Sequence, residues 1–313
     1  MEAPSDPREF KEWLCGQALA QGFALAAFAP CGPFEEERER LGAWFASGRG
    51  ALLPYLQPEV LADPRALFPA ARSALVAFFP YARPEALPGA VPGSLKLSRY
   101  LWGTDYHILL KPRLARILAA AQARCPGLQG RVCVDTAPLL ERQLAARAGL
   151  GWQGKHTLLI AGKGGPWGFL GVLLLDVVLP PDEPFLTEHC GSCTACLEAC
   201  PTGALQPFLL DPALCLTTYT VETEAEPPAR VAAALQATGW AAGCDLCQEA
   251  CPWNREPLWG DARLWGGANP LHRSPAAALR MNGSQWKKAT RRSALRRVRH
   301  RHWLATLERI LGP

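Results

Sequence analysis

Eight cysteines between residues 190 and 251 constrain this 313-residue chain more than any other feature. They read Cys190-Gly-Ser-Cys193-Thr-Ala-Cys196-Leu-Glu-Ala-Cys200-Pro, then a lone Cys215, then Cys244-Asp-Leu-Cys247-Gln-Glu-Ala-Cys251-Pro. The first block is the C-x2-C-x2-C-x3-C-P run with which one chain wraps two [4Fe–4S] clusters, its fourth cysteine reaching to the other cluster. The second block has Ala241 where a third thiolate would stand, and Cys215 is its natural replacement. Two sets of four result: Cys190, Cys193, Cys196 and Cys251 for one cluster, and Cys200, Cys215, Cys244 and Cys247 for the other. Zinc sites also use C-x2-C pairs, but they have no need of a third cysteine three residues on and then C-x3-C-P. Disulfide frameworks belong to oxidising compartments and usually to much smaller chains. The spacing predicts two [4Fe–4S] clusters and a protein that moves single electrons.

With 49% apolar residues the chain can bury one large core plus a smaller module. Its first residues, MEAPSDPREFKEW, are polar and acidic, which reads as neither a secretory nor a twin-arginine leader. The longest apolar stretch, Phe169 to Pro180, contains Asp176 and is too short to span a bilayer. The expectation is a cytoplasmic protein without a membrane partner. Cys15, Cys31, Cys125 and Cys133 lie outside the motif among apolar neighbours and read as core residues.

Charge is unevenly placed. From Arg273 to Pro313 there are eleven Lys/Arg against one acid, Glu308, a net of +10, whereas the rest holds 22 basic and 27 acidic residues, a net of −5. Leu295, Val298, Trp303, Leu304, Leu307 and Leu311 recur at helical spacing within this tail, which predicts a basic amphipathic helix. A solvated charged face, a membrane-surface helix and a nucleic-acid-binding segment all accommodate it. The last fits best, because each phosphate neutralised by Arg or Lys releases counterions.

Upstream, residues 8–30 read as a helix and a short strand, 35–48 as a helix, Arg72–Phe79 as a buried strand, and 83–94 as a Pro/Gly loop. Asp105–Ala123 reads as a helix containing Pro112, Arg131–Val134 as a strand, Pro138–Ala148 as a helix, and Thr157–Ala161 and Trp167–Leu179 as strands. This alternation argues for an α/β or α+β sandwich. The expected division is 1–179 for a catalytic domain, 180–260 for the cluster domain and 261–313 for the basic tail.

No Gly-x-Gly-x-x-Gly follows a strand and no Gly-x4-Gly-Lys-[Ser/Thr] is present, so nicotinamide and nucleoside-triphosphate readings lack their phosphate cradle. Asp135 falls where a strand ends and a helix begins. Two readings stand side by side: helix capping by Asp135 or Thr136, or a carboxylic acid kept partly protonated by apolar neighbours and able to deliver a proton. His107 and His156 read as lone structural histidines.

Val134-Asp135-Thr-Ala-Pro-Leu-Leu-Glu141-Arg142 through Gly149-Leu-Gly-Trp152-Gln-Gly154-Lys155-His156-Thr157 resembles the signature of the epoxyqueuosine reductase family. So do Ser98-Arg99-Tyr100-Leu-Trp-Gly103-Thr-Asp105-Tyr106-His107, Pro180-Pro181-Asp182, and Gly243-Cys244-Asp-Leu-Cys247-Gln248-Glu249-Ala-Cys251-Pro252-Trp253-Asn254, in the family's order. The resemblance runs from about residue 35 to 255. The tail resembles the start of the family's C-terminal helical segment and ends before the helical repeats of longer members.

The resemblance implies reduction of epoxyqueuosine to queuosine at the wobble position of tRNA anticodons, the last step in making that base. It implies a cobalamin-binding α/β sandwich similar to cobalamin-processing and nitroreductase-like domains, then a bacterial two-cluster ferredoxin-like domain. The cofactors implied are base-off cob(II)alamin and two [4Fe–4S] clusters, fed by an external one-electron donor such as ferredoxin or flavodoxin, in a monomer. Absence of Asp-x-His-x-x-Gly agrees with a corrinoid held without a histidine ligand. The family's acid matches Asp135. Cobalamin contacts carry over to Gln57, Ser98, Tyr100, Asp105, Tyr106, Asp135, Gln153, Lys155, His156, Thr157, Thr217 and Thr218. The chain departs from the family at His156, where asparagine is usual, at Tyr219, where the tyrosine is displaced by one, and at Gln57, where a basic residue is usual. A corrinoid-dependent reductive dehalogenase and a pure electron carrier are the rival functions; the first is usually exported, and the second needs neither Asp135 nor a basic tail.

Overall fold

The computed structural model describes residues 6–56, 58–83, 95–261, 263, 269, 271 and 274–312. Its centre is a four-stranded antiparallel sheet of β1 (Leu25–Pro30), β2 (Ser73–Pro80), β3 (Gly130–Cys133) and β4 (Gly168–Leu175), in the order β1-β2-β4-β3. Every residue of β2 is buried, as its uninterrupted apolar run requires of a strand covered on both faces. The period of two decides which side chain goes where. Leu75, Ala77 and Phe79 join one core with α1 (Pro7–Ala20) and α2 (Tyr106–Arg124). Ala74, Val76 and Phe78 join the other with α3 (Glu141–Arg147). Gly171 of β4 lets Leu114 of α2 sit close, since a Cβ there would lie 2.9 Å from Leu114 Cδ1.

Further along come α4 (Ala229–Thr238), α5 (Gly283–Thr290) and α6 (His300–Leu311), with α6 packed against α4 and against Trp240–Ala242. Trp240–Ala242 pairs in parallel with Lys96–Leu97, tying the second cysteine block to the first domain. The tail folds back onto the body: Trp303, Leu307 and Ile310 of α6 are buried in the same core as α2 and α4. The apolar stripe of the basic helix is therefore occupied by protein, and the membrane-surface reading falls. Among the described residues no helix is long and apolar enough to cross a membrane.

Several element boundaries differ from expectation, and the strand expected over Trp167–Leu179 spans Gly168–Leu175. The helix expected from Pro138 starts at Glu141, because Asp135 to Leu140 form a turn that β3 cannot enter directly. The strand expected over Thr157–Ala161 shrinks to Leu159–Ile160, paired with Trp152–Gln153, because Thr157 takes a left-handed φ of 70°. Of the expected 83–94 loop, only residue 83 is among the described residues. Cys125 and Cys133 are buried and Cys15 and Cys31 half-buried, as core cysteines should be.

Candidate active site

Asp135 follows β3 with φ of 52°, a left-handed conformation that Asp tolerates better than most residues. The turn aims its carboxylate back at the start of α2. There Oδ2 accepts a hydrogen bond from the Tyr106 hydroxyl at 2.8 Å and lies 3.6 Å from His107 Nε2. The cap of α3 is Leu140, without a side-chain hydrogen bond, so neither Asp135 nor Thr136 caps that helix. Nor is Asp135 shut in an apolar pocket: its side chain is 48% exposed. The desolvated acid is Glu141 behind it. Glu141 Oε1 accepts the Asp135 backbone N–H at 2.8 Å, and desolvation pushes its carboxyl up to about 8 despite that hydrogen bond.

His107 is held from the other side. Asp105 caps α2, accepting the His107 backbone N–H at 2.9 Å and lying 2.8 Å from His107 Nδ1. Burial would raise the Asp105 carboxyl, but the hydrogen bonds from His107 outweigh it and hold it below its ordinary value. Asp105 is thus a carboxylate, and Nδ1 carries the proton that it accepts. Tyr106 stacks between His107 (ring centroids 4.3 Å apart) and Phe169 (4.6 Å). Burial first, then Asp135, pushes its phenol well up, so it remains a donor.

Three distant segments complete the site. Glu222, a turn and a half beyond Cys215, accepts from Tyr55 Oη at 3.0 Å and pairs with Arg297 of the tail at 2.8 Å. Burial works against the Arg297 guanidinium, but Glu222, Tyr100, Tyr106 and Asp135 together hold its charge firmly. Tyr100, half-buried, lies within the same set of fields, and desolvation pushes its phenol up. His107, Tyr55, Glu222 and Arg297 were not among the predicted site residues. The Asp105-x-His107 spacing at a helix start was a usable signal for His107; none marked out Arg297 within its run of arginines.

The cysteine segments lie alongside. The charges of Cys190, Cys193 and Cys196 act on Cys251, and those of Cys190 and Cys193 on Cys196. Cys200 acts on Cys215, Cys215 and Cys247 on Cys244, and Cys215 and Cys200 on Cys247, which also feels Cys196. The thiols of both cysteine blocks and Cys215 therefore lie within one another's electrostatic reach. Among the described residues no three Cys, His, Asp or Glu side chains converge closely enough for a single metal ion. A cubane bridges its thiolates through its own irons and sulfides, so its ligands need not meet at one point, and the donor set fits it. Burial pushes Cys251 up to about 11 and raises Cys215 and Cys244. Thiols so desolvated become thiolates when a cation takes the proton's place.

The other predicted residues separate into those near Asp135 and those serving the cysteine loops. Ser98 Oγ donates to the buried carboxyl of Asp245, between Cys244 and Cys247, and Arg99 N donates to it at 2.7 Å. Lys155 Nζ donates to the carbonyls of Gly191 (2.5 Å) and Cys193 (3.0 Å), clasping the first cysteine loop. Backbone N–H groups of Thr217 and Thr218, with the Thr217 side chain, face Cys215. Gln153 Oε1 accepts from Gln143 at 3.1 Å. The Thr157 carbonyl accepts from Arg142 at 2.6 Å. His156 is buried, its Nδ1 accepting the Leu158 N–H at 3.2 Å and its Nε2 buried without a hydrogen-bond partner among the described residues. Gln57 lies outside the described residues. His107 is engaged through Nδ1 by Asp105, and among the described residues the Nε2 atoms of His107 and His156 are buried without a hydrogen-bond partner.

A family model described as "Epoxyqueuosine reductase QueG, DUF1730" matches residues 62–136, and one described as "4Fe-4S double cluster binding domain" matches 189–254. The epoxyqueuosine reductase of Synechococcus sp. (strain RCC307) is 35% identical over 96% of this chain and 93% of its own. A crystal structure of epoxyqueuosine reductase with an epoxyqueuosine-modified tRNA-Tyr stem loop superposes with a TM-score of 0.83 at 24% identity, over 98% of this chain and 82% of that one. A reductive dehalogenase, described as performing B12-dependent dehalogenation, shares the fold more distantly, with a TM-score of 0.50 and 14% identity over 99% of this chain and 38% of that one.

Proposed function

The chain belongs to the epoxyqueuosine reductase family, and on that premise we propose that it reduces epoxyqueuosine to queuosine in tRNA, with Asp135 as the proton donor. The observation that carries the site assignment is the Tyr106–Asp135–His107 constellation beside the segment that follows Cys215. Residues 1–179 bind substrate and cobalamin, 180–260 hold two [4Fe–4S] clusters, and 261–313 form the basic tail. An external one-electron donor such as ferredoxin or flavodoxin feeds the clusters, in a monomer working in the cytoplasm.

Removing an epoxide oxygen as water takes two electrons and two protons. Base-off cob(II)alamin, when bound, would supply the two-electron chemistry at the epoxide carbon, with Tyr100, Thr217 and Thr218 among the residues that would hold it. The chain's own residues manage the protons. As the C–O bond breaks, negative charge grows on oxygen, and Asp135 gives that oxygen a proton from its exposed edge. The Tyr106 hydroxyl keeps the carboxylate oriented through Oδ2. His107 then reloads Asp135 across the 3.6 Å gap, with the Asp105 carboxylate stabilising the imidazolium that passes the proton on. A reductive dehalogenase would share the cofactors, but nothing in this site favours it over the tRNA substrate.

An anaerobic assay of protein reconstituted with clusters and cobalamin, on tRNA carrying epoxyqueuosine, tests the reading. Wild type forms queuosine, and Asp135→Asn loses activity by about 10²–10⁴-fold, the range for a general acid. Full activity in the Asn variant removes Asp135 from the chemistry; turnover without cobalamin removes the cofactor.

A further inference from the structure

The turn that carries Asp135 is held against its own preference. The Thr136 N–H donates to the Val134 carbonyl at 2.6 Å, closing a three-residue turn with Asp135 at its centre. With a φ of 52° at that centre, this is the rare and strained hand of such a turn. Outside glycine, a conformation of this kind costs free energy and persists only where its surroundings over-determine it. Both Asp135 and Thr136 are exposed, so the core does not supply that restraint. Tyr106 grips the Asp135 carboxylate at 2.8 Å, which leaves the backbone able to rotate behind it. Lys111 reaches Thr136 Oγ1 at 3.4 Å, on the exposed side. The contact on the strained backbone itself is Glu141, whose Oε1 accepts the Asp135 N–H at 2.8 Å.

A second observation is how firmly Glu141 is placed. Its own N–H donates to the Leu139 carbonyl at 2.9 Å, closing another three-residue turn around Leu140. There φ is −78° and ψ is 70°, the common and relaxed hand. Glu141 then opens α3, whose Leu144 and Ala145 are buried in the same core as Val76 and Phe78 of β2. The next residue, Arg142, donates to the Thr157 carbonyl at 2.6 Å. One end of the Asp135–Glu141 hydrogen bond is thus rooted in relaxed, packed structure and the other end is under strain. A third observation is charge. Glu141 faces Asp135 from the turn, Arg142 from α3 and Cys133 from the end of β3. Desolvation raises its carboxyl to about 8, so at neutral pH it accepts the N–H without setting a second negative charge beside Asp135.

We propose that Glu141 is a positioning residue for the reaction: its Oε1 latches the Asp135 backbone in the strained turn, and only while latched does the carboxylate reach Tyr106 Oη and His107 Nε2 together. The proposal rests on the functional reading above and deepens it by one residue. Asp135 meets the substrate, and Glu141 acts only through Asp135.

The test pairs kinetics with hydrogen exchange on protein reconstituted with clusters and cobalamin. Glu141→Ala is expected to lower kcat for queuosine formation by about 10²-fold, the cost of a reacting group misplaced by about 1 Å, and to leave KM for tRNA unchanged. Glu141→Gln, a neutral side chain of the same length, supplies the acceptor again and rescues the rate at pH 7. Exchange, read by mass spectrometry on peptides spanning residues 134–140, rises in Glu141→Ala and returns to the wild-type level in Glu141→Gln. Glu141→Asp, one methylene too short to reach the N–H, carries the test if the Ala variant does not fold, and is expected to match it in both readouts. Wild-type kcat in the Ala or Asp variant, or exchange that does not change, makes Glu141 an ordinary first-turn acid and overturns the proposal. A Gln variant as slow as Ala overturns it too, because the acid would then have a proton of its own to move. Wild type that forms no queuosine breaks the functional reading instead, while exchange still decides the latch.

Discussion

Glu141 sits behind Asp135 with its carboxyl raised to about 8, so its ionisation couples folding to pH. Between about 4.5 and 8 the unfolded chain has released that proton and the folded chain keeps it. Stability contributed by the neutral acid is complete below about 4.5 and is lost as pH rises through about 8. Glu141→Gln keeps an oxygen to accept the Asp135 N–H and removes the titration. It should raise Tm relative to wild type at pH 8.5 and leave it nearly unchanged at pH 4.5, by calorimetry at both values. Residue by residue, what could be read directly was whatever chemistry writes locally. Thiolates that share a cluster must recur at short spacings, so all eight cysteines stood out. His107 did not, because the partner that gives it a task, Asp135, arrives only through the course of β3.

At the scale of elements, the uninterrupted apolar runs of β2 and β4 are what a strand covered on both faces requires, and both were legible. Short elements were not. The start of α3 was misplaced by three residues because Pro138 looks like a first-turn proline, whereas the left-handed Asp135 needs the intervening turn. For the tail, periodicity identified a helix correctly but could not say against what it packs. Trp303 answers that: it is fully buried, its ring 5.2 Å from that of Trp286. Trp303→Ala should cost about 3–5 kcal/mol, as truncation of a buried large aromatic does. Chemical denaturation followed by circular dichroism measures it. A cost below about 1 kcal/mol would mean that α6 does not dock in solution.

At the scale of the whole molecule, the site draws on the first domain, the segment beyond Cys215 and the basic tail, and no single stretch of sequence contains it. Arg297 is where this long-range assembly is most exposed to test. Its ion pair with Glu222 is partly open to solvent, so it adds little to folding. Its charge beside Asp135 and Tyr106 should matter more to an anionic substrate. Arg297→Ala is expected to lower kcat/KM by about tenfold or more, the worth of a charge-assisted hydrogen bond, while stability changes by less than about 1 kcal/mol. Steady-state kinetics beside thermal melts separates the two.

The pair of Glu222 and Arg297 opens a row, in which Glu224 meets Arg299 and Arg301 and Glu226 meets Arg309, and that row bears on how this chain can change over generations. A single rung of such a surface row is worth at most about 1 kcal/mol, so any one pair can drift without penalty. Loss of the arginines together would leave three carboxylates bare on one segment, where they would repel one another. Selection therefore acts on the row and not on the rung. A change at Glu226 or Arg309 alone should be tolerated, and only changes that accumulate along the row should call for matching ones in the segment after Cys215.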